Sequence, residues 1–328
     1  MFKYGYFLLV PFALTIAESA GAVTSAELYR ASAQTFGRFE ARIRFAGGDG
    51  IVSSFFLWKT GSEQSSVYWN ELDFEKLGAA CELQTNSIHG LPQSNHEELG
   101  YSLQGLCDAY HTYAYEWTPE HIAWFVDGIE IRRETGAVVA AYTENATEGM
   151  QLRFNVWPGN ASFGGNFSEA SLPAYQFVAW AQYSEYTPGT GDDGSDFTLS
   201  WREEFDAKPV GWQMGSWASP LNGSTHSPAN VKFVDGIAVL ALTTDEAIGF
   251  AGSPPPDTGD AVAVPATGGA GGAIGAANDG TVFSFGDDRG SEGCSCRLAP
   301  RSSGPSGSFA LLALGLVAFV GRRRRRAG

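Results

Sequence analysis

The chain has 328 residues, of which 36 are acidic and 21 are basic, so its formal net charge at pH 7 is −15. This charge argues against a nucleic-acid partner and favours an uncharged one. The length is ample for one large domain with appendages. Aromatic residues make up 13% of the chain and include nine Trp, which offer flat surfaces on which sugars stack, although most such rings are expected in the core.

The first 22 residues have the layout of a secretory signal peptide. Lys3 precedes an apolar run from Tyr6 to Ile16, and small residues follow at Ala20 and Ala22. The run is too short to span a membrane by itself. We therefore expect residues 1–22 to be a signal peptide and the protein to be secreted or held at the cell surface.

From Ala26 onward, short runs of alternating residues are separated by turn residues, and no sustained helical period is present. The predicted strands are 27–30, 39–45, 51–58, 152–157 and 174–186, with a hairpin around Asp127-Gly128. Many short strands with glycine turns predict an all-β fold, a two-sheet antiparallel sandwich or jelly roll.

Residues 69–78 alternate acidic and apolar side chains with a period of two, which is the spacing of a strand. This period places Glu71, Asp73 and Glu75 on one face. The apolar residues that we expect to be buried are Leu72, Phe74 and Leu77. Three adjacent carboxylates repel each other, so the row is a candidate for chemistry that needs two of them. The alternative is an edge strand with a solvated acidic face.

The spacing of the two glutamates suits one reaction. Cα atoms four residues apart on a strand are separated by about 13 Å, and side chains leaning together across a concave sheet would bring the carboxylates to about 5 Å, the separation found in retaining glycosidases. One carboxylate would attack the anomeric carbon, while the other, kept protonated by its anionic neighbours, would protonate the leaving oxygen. Asp73 would hydrogen-bond one glutamate and hold their proton affinities apart.

Trp69 and Gly78 frame the acidic row, and Phe55-Phe56-Leu57-Trp58 lies just upstream. With these flanks the sequence resembles glycoside hydrolase family 16, whose active-site strand reads E-[IL]-D-x-E, and within it the lichenases, the 1,3-1,4-β-glucanases. The resemblance extends from about Ser25 to Thr243.

The resemblance implies a role for each member of the row: Glu71 is the nucleophile, Glu75 the acid/base and Asp73 the auxiliary carboxylate. The implied enzyme is a secreted retaining endo-β-glucanase that hydrolyses β-1,4 linkages in mixed-linkage 1,3-1,4-β-glucan by double displacement. Related alternatives are an endo-1,3-β-glucanase, which usually carries one more residue and a bulge in this strand, and a transglycosylase. An alternative of another class is a non-catalytic glucan-binding jelly roll.

The resemblance also matches residues along the sugar-binding cleft. They are Glu27, Phe56, Trp58, Trp69, Gln84, Asn86, Arg153, Trp157, Phe163 and Trp217. Phe163 stands where permuted lichenases carry a second tryptophan, and Ser219 stands where a phenylalanine is expected. These departures lie at substrate positions and bear on linkage preference, whereas the reaction type rests on the acidic row.

Family members hold a structural Ca²⁺ with an acidic or amide side chain just before the tryptophan matched by Trp180. Ala179 occupies that position here and has no side-chain oxygen. Ca²⁺ takes six to eight oxygen ligands, so we expect a weakened site to which carbonyls near Glu204 and Gly236 contribute. No cofactor is expected for the reaction, and the histidines show no metal-binding spacing.

Residues 188–196 are rich in Gly and Asp and are predicted to be a flexible linker. Strand-like sequence resumes at 201–206 and 231–243, but so short a segment cannot fold alone. We therefore expect residues 197–244 to complete the sandwich begun by residues 25–187. In most lichenases the counterpart of this segment precedes that of Glu27, so the resemblance implies a circular permutation; a duplicated or stray fragment is the alternative.

The remaining chain is rich in small residues. Residues 248–293 contain Gly, Ala and Pro tracts and are predicted to be a disordered spacer. Residues 294–328 hold Cys294, Cys296, a short apolar run and five arginines at 322–326, and they resemble a MYXO-CTERM sorting tag that would engage a membrane or sorting machinery. A plain hydrophobic anchor is the alternative.

The two cysteines inside the predicted domain, Cys81 and Cys107, either form a disulfide or remain buried thiols. The protein is expected to be a monomer.

Overall fold

The computed structural model describes residues 22–79, 82–91, 95–102, 109–219 and 222–259. The predicted signal peptide up to residue 21, the spacer from residue 260 and the sorting tag lie outside the described residues. Cys81 and Cys107 do so as well, and the proposed disulfide therefore stays a prediction.

The described residues form seventeen strands and one α-helix. The strands are β1 (Val23–Arg30), β2 (Gly37–Arg44), β3 (Ile51–Trp58), β4 (Trp69–Leu77), β5 (Glu82–Gly90), β6 (Asn95–Ser102), β7 (His111–Trp117), β8 (His121–Val126), β9 (Ile129–Thr135), β10 (Gln151–Pro158), β11 (Ala174–Tyr186), β12 (Phe197–Glu203), β13 (Trp212–Met214), β14 (Trp217–Ser219), β15 (Ser224–His226), β16 (Val231–Val234) and β17 (Ile237–Thr244). The helix is α1 (Ala137–Asn145).

Two antiparallel sheets pack face to face, which confirms the predicted all-β sandwich. The first sheet has the order β6-β5-β4-β3-β10-β1-β13. The second has the order β9-β8-β7-β2-β11-β17-β16, with β12 beside the second half of β11. The start of β1 also pairs with β17 and β15, which joins the two sheets at one edge.

The core lies between the sheets and is rich in aromatic rings. Phe55 of the first sheet lies 5.3 Å from Phe154 and 5.0 Å from Tyr115 of the second sheet, measured between ring centroids. Each fully buried ring of this kind stabilises the fold by about 1.5–3 kcal/mol. Because side chains alternate along a strand, the residues between these core positions form the outer face of the first sheet, called the carboxylate face below because it carries Glu71 and its neighbours.

One expectation for β4 is wrong. Leu77 shares the parity of Glu71 and is half-buried at the end of the carboxylate face, whereas Lys76 takes the next core-side position and is fully buried. The ammonium group of Lys76 donates a hydrogen bond to the carbonyl of Gly78. An apolar residue was predicted inside because of its type, but the strand period decides which face it occupies.

The segment 197–244 is part of both sheets, since β12 and β17 pair with β11 while β13 pairs with β1. The expected flexible linker at 188–196 is instead an ordered connection between β11 and β12. Its backbone is closed by hydrogen bonds from Thr187 N to Asp196 O (2.7 Å) and from Gly191 N to Ser195 O (3.0 Å). The Asp196 carboxylate also accepts from Gly189 N, so the polar residues that suggested flexibility satisfy the turn.

The prediction of a disordered spacer is wrong for residues 248–259, called the strap below. The strap crosses the outer face of the second sheet, where the Phe250 ring packs 4.9 Å from Tyr175. The hydroxyl of Tyr110 donates to Pro255 O at 2.9 Å, and Arg42 holds both carboxylate oxygens of Asp257 at 3.0–3.2 Å. Single anchoring residues in a Gly/Pro-rich stretch therefore suffice to fix it on the sheet.

We expect loss of the strap's ion pair to destabilise the domain. Asp257→Ala would leave the buried guanidinium of Arg42 without its two-pronged partner, at a cost of about 1–3 kcal/mol. Thr258→Ala is the matched control, because the neighbouring side chain is exposed. Urea unfolding of the full chain measures both. Equal unfolding free energies for the two variants would contradict the assignment of the strap to the folded domain.

The helix α1 was not predicted from the sequence. Residues 137–145 contain three alanines, which favour a helix, but the segment is too short to show a clear helical period. Its Val139 and Tyr142 are buried against the sandwich. Within the described part of the chain, no helix is long and apolar enough to cross a bilayer.

Candidate active site

The carboxylate face is organised in three rows that run across the strands, one through each acid of β4. The Glu75 row contains Gln84, Ser54, Asn155 and Glu27. The Asp73 row contains Asn86, Phe56, Arg153 and Tyr29. The Glu71 row contains Ile88, Trp58 and Gln151. Directly opposed residues share a face, so the cleft residues predicted on these strands lie together around the three acids.

Glu71 is buried, with 1% of its surface exposed, and it accepts a hydrogen bond from Trp69 Nε1 at 2.8 Å. Burial raises the pKa of Glu71 to about 7, against the opposing effects of the hydrogen bonds from Trp69 and Asp73 and of the positive charge of Arg153. At neutral pH the group is therefore poised between its charged and neutral forms.

Asp73 lies between the glutamates and interacts with both. Burial raises its pKa well above the usual range, and the negative charges of Glu71 and Glu75 and the hydrogen bond to Glu71 act in the same direction. These effects favour the protonated form of Asp73, which can donate a hydrogen bond to Glu71. This arrangement separates the proton affinities of the row, as like charges at close range require.

A chain of contacts leads away from the acids along the Arg153 side. The guanidinium of Arg153 donates to Glu27 Oε1 at 2.7 Å and lies 4.4 Å from the Tyr29 ring centroid. The other oxygen of Glu27 accepts from Trp217 Nε1 at 2.8 Å. Trp217 belongs to the segment after residue 197 and is nevertheless brought to the same site as Glu27, as the sequence predicted.

Aromatic rings flank the acids at both ends of the row. Trp58 and Trp69 meet edge to face at 5.0 Å beside Glu71. Trp157 and Phe163 stack at 5.8 Å with planes only 11° apart, and Trp157 lies on the same face as Arg153, beyond the Glu75 row. Such paired rings offer apolar platforms on either side of the carboxylates.

Several buried polar atoms on the carboxylate face have no hydrogen-bond partner among the described residues. They are Asp73 Oδ2, Gln84 Nε2, Asn86 Oδ1, Ser54 Oγ, Asn155 Oδ1 and Arg153 Nε. Leaving a buried polar group unsatisfied costs about 1–3 kcal/mol, so a cluster of them is unfavourable unless a ligand supplies the missing donors and acceptors. A ligand with many hydroxyl groups can satisfy them.

Sequence reasoning missed four residues of this site. Ser54, Asn155 and Tyr29 share the parity of Phe56, Arg153 and Glu27 on their strands, so the strand period could have identified them. His226 carried no usable signal. His226 stacks on Trp217 at 3.8 Å, and burial lowers the pKa of His226 to about 4 against the charge of Glu27, so the imidazole is neutral.

The region matched to the family's calcium site lies around Ala179, Glu204 and Gly236. Ala179 is buried in β11 and contributes no side-chain oxygen. Two oxygens lie close to Gly236. A Cβ atom built on this glycine would be 3.5 Å from the Asp206 carboxylate and 3.7 Å from the Glu204 carbonyl. No group of three or more His, Cys, Asp or Glu residues that could hold a metal exists in the described ranges. The expected weakening of the Ca²⁺ site by Ala179 stays a prediction.

Two buried glutamates on one strand, an aspartate of raised pKa between them and aromatic platforms on either side suit acid-assisted nucleophilic cleavage of a glycosidic bond. On a β-sandwich, this site defines the protein as a glycoside hydrolase. The family model for Glycosyl hydrolases family 16 matches residues 11–182. The chain belongs to this family.

Individual relatives agree with the family match. The chain is 39% identical to a beta-glucanase of Fibrobacter succinogenes over 251 residues, which are 75% of this chain and 71% of the relative. It is 31% identical to a beta-glucanase of Bacillus amyloliquefaciens over 156 residues, 46% of this chain and 61% of that protein. Among solved structures, Bacillus licheniformis beta-glucanase aligns with a TM-score of 0.39 and 25% identity, covering 48% of this chain and 70% of that one.

Proposed function

We propose that the protein is a retaining endo-β-glucanase that hydrolyses β-1,4 linkages in mixed-linkage 1,3-1,4-β-glucan. The observation that carries the proposal is the carboxylate row itself, in which Glu71 and Asp73 are hydrogen-bonded and Glu75 lies on the same face of β4. The relatives named above are beta-glucanases, which supports the substrate class.

The reaction proceeds by two displacements. Glu71 attacks the anomeric carbon while Glu75 gives its proton to the leaving oxygen, so the glycosidic C–O bond breaks as a glycosyl ester forms. Glu75 then takes a proton from water, and that water displaces Glu71 with a second inversion. The residues of the face bind and orient the chain, and no cofactor enters either step.

The linkage preference rests on the regularity of β4. Glu71, Asp73 and Glu75 pair with β3 and β5 without any shift of register. A 1,3-β-glucanase of this family usually has an additional residue and a bulge between its acids. The unbroken strand favours a lichenase or a transglycosylase. These two differ in what attacks the glycosyl ester in the second step: water in a lichenase and the hydroxyl of a second sugar in a transglycosylase.

The experiment is a substrate comparison with the purified full chain on barley β-glucan, lichenan and laminarin, with product analysis. We expect release of short oligosaccharides from the first two and little from laminarin. Faster cleavage of laminarin would overturn the linkage assignment. Tight binding to glucan without any product would overturn the enzymatic assignment and favour a non-catalytic glucan-binding module.

We also propose that the strand order is a circular permutation. Two observations support it: β12–β17 complete sheets begun by earlier strands, and the match to the Fibrobacter succinogenes relative runs over 251 residues, against 156 for the Bacillus amyloliquefaciens relative. Deleting residues 197–244 should therefore unfold the protein, as read by circular dichroism. A folded remainder would contradict the proposal.

We further propose that the protein is a secreted or surface-anchored monomer. The signal-like residues 1–22 and the tail at 294–328 support this placement. The strap holds the chain on the outer face of the second sheet as far as Asp257, on the side of the sandwich opposite the carboxylate face. A tail attached to a surface would thus leave the carboxylate face open to polysaccharide. Mass spectrometry of cell-surface and medium fractions tests this placement.

The pH profile should reflect the raised pKa of Glu71. Glu71 must be ionised to attack, so kcat/KM should fall about tenfold per pH unit as pH drops below about 7. Trp69→Phe removes a hydrogen bond that lowers the pKa of Glu71, so the acid limb should move to higher pH. Trp58→Phe, beside Trp69 on the same face, is the control. An acid limb that shifts equally in both variants would contradict this origin.

A further inference from the structure

Two buried side chains reach through the core to the backbone of the catalytic strand. The hydroxyl of Tyr142 donates to the carbonyl of Glu71 at 2.6 Å. The indole N–H of Trp124 donates to the carbonyl of Asp73 at 3.1 Å. Both side chains are fully buried, and both lie on the core side of β4, away from the carboxylate face.

These contacts exceed what packing requires. The carbonyls of a central strand are already engaged by the ladder to neighbouring strands, and a second donor uses their remaining lone pair. Placing a hydroxyl or indole N–H in an apolar core is unfavourable unless it is bonded. A phenylalanine or leucine could fill the same space without that requirement. The two donors meet the carbonyls of alternate residues, and both of these residues belong to the acidic row.

The elements that carry the donors are themselves tied to this region. Tyr142 belongs to α1, and its hydroxyl also lies 3.1 Å from the carbonyl of Ile88, the residue opposite Glu71 on β5. Asn70 Nδ2 donates to the carbonyl of Ala141 at 3.3 Å. The ring of Trp124 lies 4.4 Å below the guanidinium of Arg132, which in turn donates to the carbonyl of Thr85 on β5 at 3.2 Å.

We propose that Tyr142 and Trp124 are positioning residues that fix the backbone of β4 at Glu71 and Asp73, so that the carboxylates project at the height and angle needed for attack. They touch neither substrate nor reacting atoms. The inference rests on the function proposed above for Glu71. A shift of about 1 Å in a reacting group can cost about 100-fold in rate, so releasing one anchor should lower turnover without weakening glucan binding.

Tyr142→Phe tests the inference, and Tyr183→Phe is its matched control. Tyr183 is also buried, and its hydroxyl donates to a backbone carbonyl at 2.6 Å, but the acceptor is Phe36, away from β4. Each variant loses one buried hydroxyl and one hydrogen bond, so their losses of stability should be similar, which urea unfolding checks.

On barley β-glucan we expect Tyr142→Phe to lower kcat about tenfold or more with KM within about twofold, and Tyr183→Phe to leave both near the wild-type values. Tyr142→Phe should also move the acid limb of kcat/KM, because a displaced Glu71 loses alignment with Trp69 Nε1. If the wild-type chain hydrolyses glucan but the two variants have equal kcat, or if only KM changes, the inference is overturned and the proposed function still stands. A wild-type chain without turnover would remove the proposed function and the inference with it.

Discussion

Glu71→Ala is expected to reduce kcat on barley β-glucan by at least about 10⁴-fold, because no glycosyl ester can form without the nucleophile. The loss should be nearly complete at every pH, in contrast to the limb shift of Trp69→Phe. The variant should remain folded. Burial disfavours the ionised form of the Glu71 carboxylate, so removing this group does not remove a favourable buried charge. Circular dichroism and initial rates measure both parts.

Azide identifies which glutamate is the nucleophile. In Glu71→Ala a small anion can occupy the space of the lost carboxylate and attack the anomeric carbon once, so the product should be a glycosyl azide of inverted configuration. An activated aryl glycoside is the suitable substrate, because its departure needs little protonation. If Glu75→Ala gave the inverted azide instead, the roles of the two glutamates would have to be exchanged.

Glu75→Gln is expected to show a loss that depends on the leaving group. The amide cannot protonate the departing oxygen, so kcat on glucan should fall by about 10²–10⁴-fold, the contribution of general acid catalysis. With a dinitrophenyl oligoglucoside, whose leaving group departs as an anion, the first step should be nearly unaffected. Stopped-flow release of dinitrophenolate should then show a rapid burst before slow turnover.

The corresponding comparison in Glu71→Gln serves as the control. That variant should show no burst with either substrate, because the ester cannot form. A loss in Glu75→Gln that is equal for glucan and for the activated glycoside would contradict an acid role and would point to a purely structural one.

The carboxylate face could largely be predicted from two signals. The period of two puts Glu71, Asp73 and Glu75 on one side of β4 whatever the tertiary fold. The resemblance to the family matched Trp58 and Arg153 to the cleft, and the registers of β3 and β10 place them beside the acids. Leu77 was misplaced because its residue type was given more weight than its parity. The correct face was available from the same pattern.

Other features depend on contacts between distant parts of the chain. The strap is fixed by two contacts that composition alone does not reveal. Asp257 binds Arg42 of β2, which lies 215 positions earlier in the sequence. Phe250 packs on Tyr175 of β11, about seventy positions earlier. Tyr142 looks like an ordinary core residue until its hydroxyl is located at the Glu71 carbonyl. The stacking of His226 on Trp217 likewise requires β14 and β15 to pair.

The stereochemistry of hydrolysis tests double displacement most directly. Proton NMR of barley β-glucan digestion in its first minutes distinguishes the anomers of the newly formed reducing end before they equilibrate. Two successive inversions at the anomeric carbon, the first by Glu71 and the second by water, predict that the β-anomer forms first and the α-anomer grows in later. Initial release of the α-anomer would mean a single displacement by water, and Glu71 could not then be a covalent nucleophile.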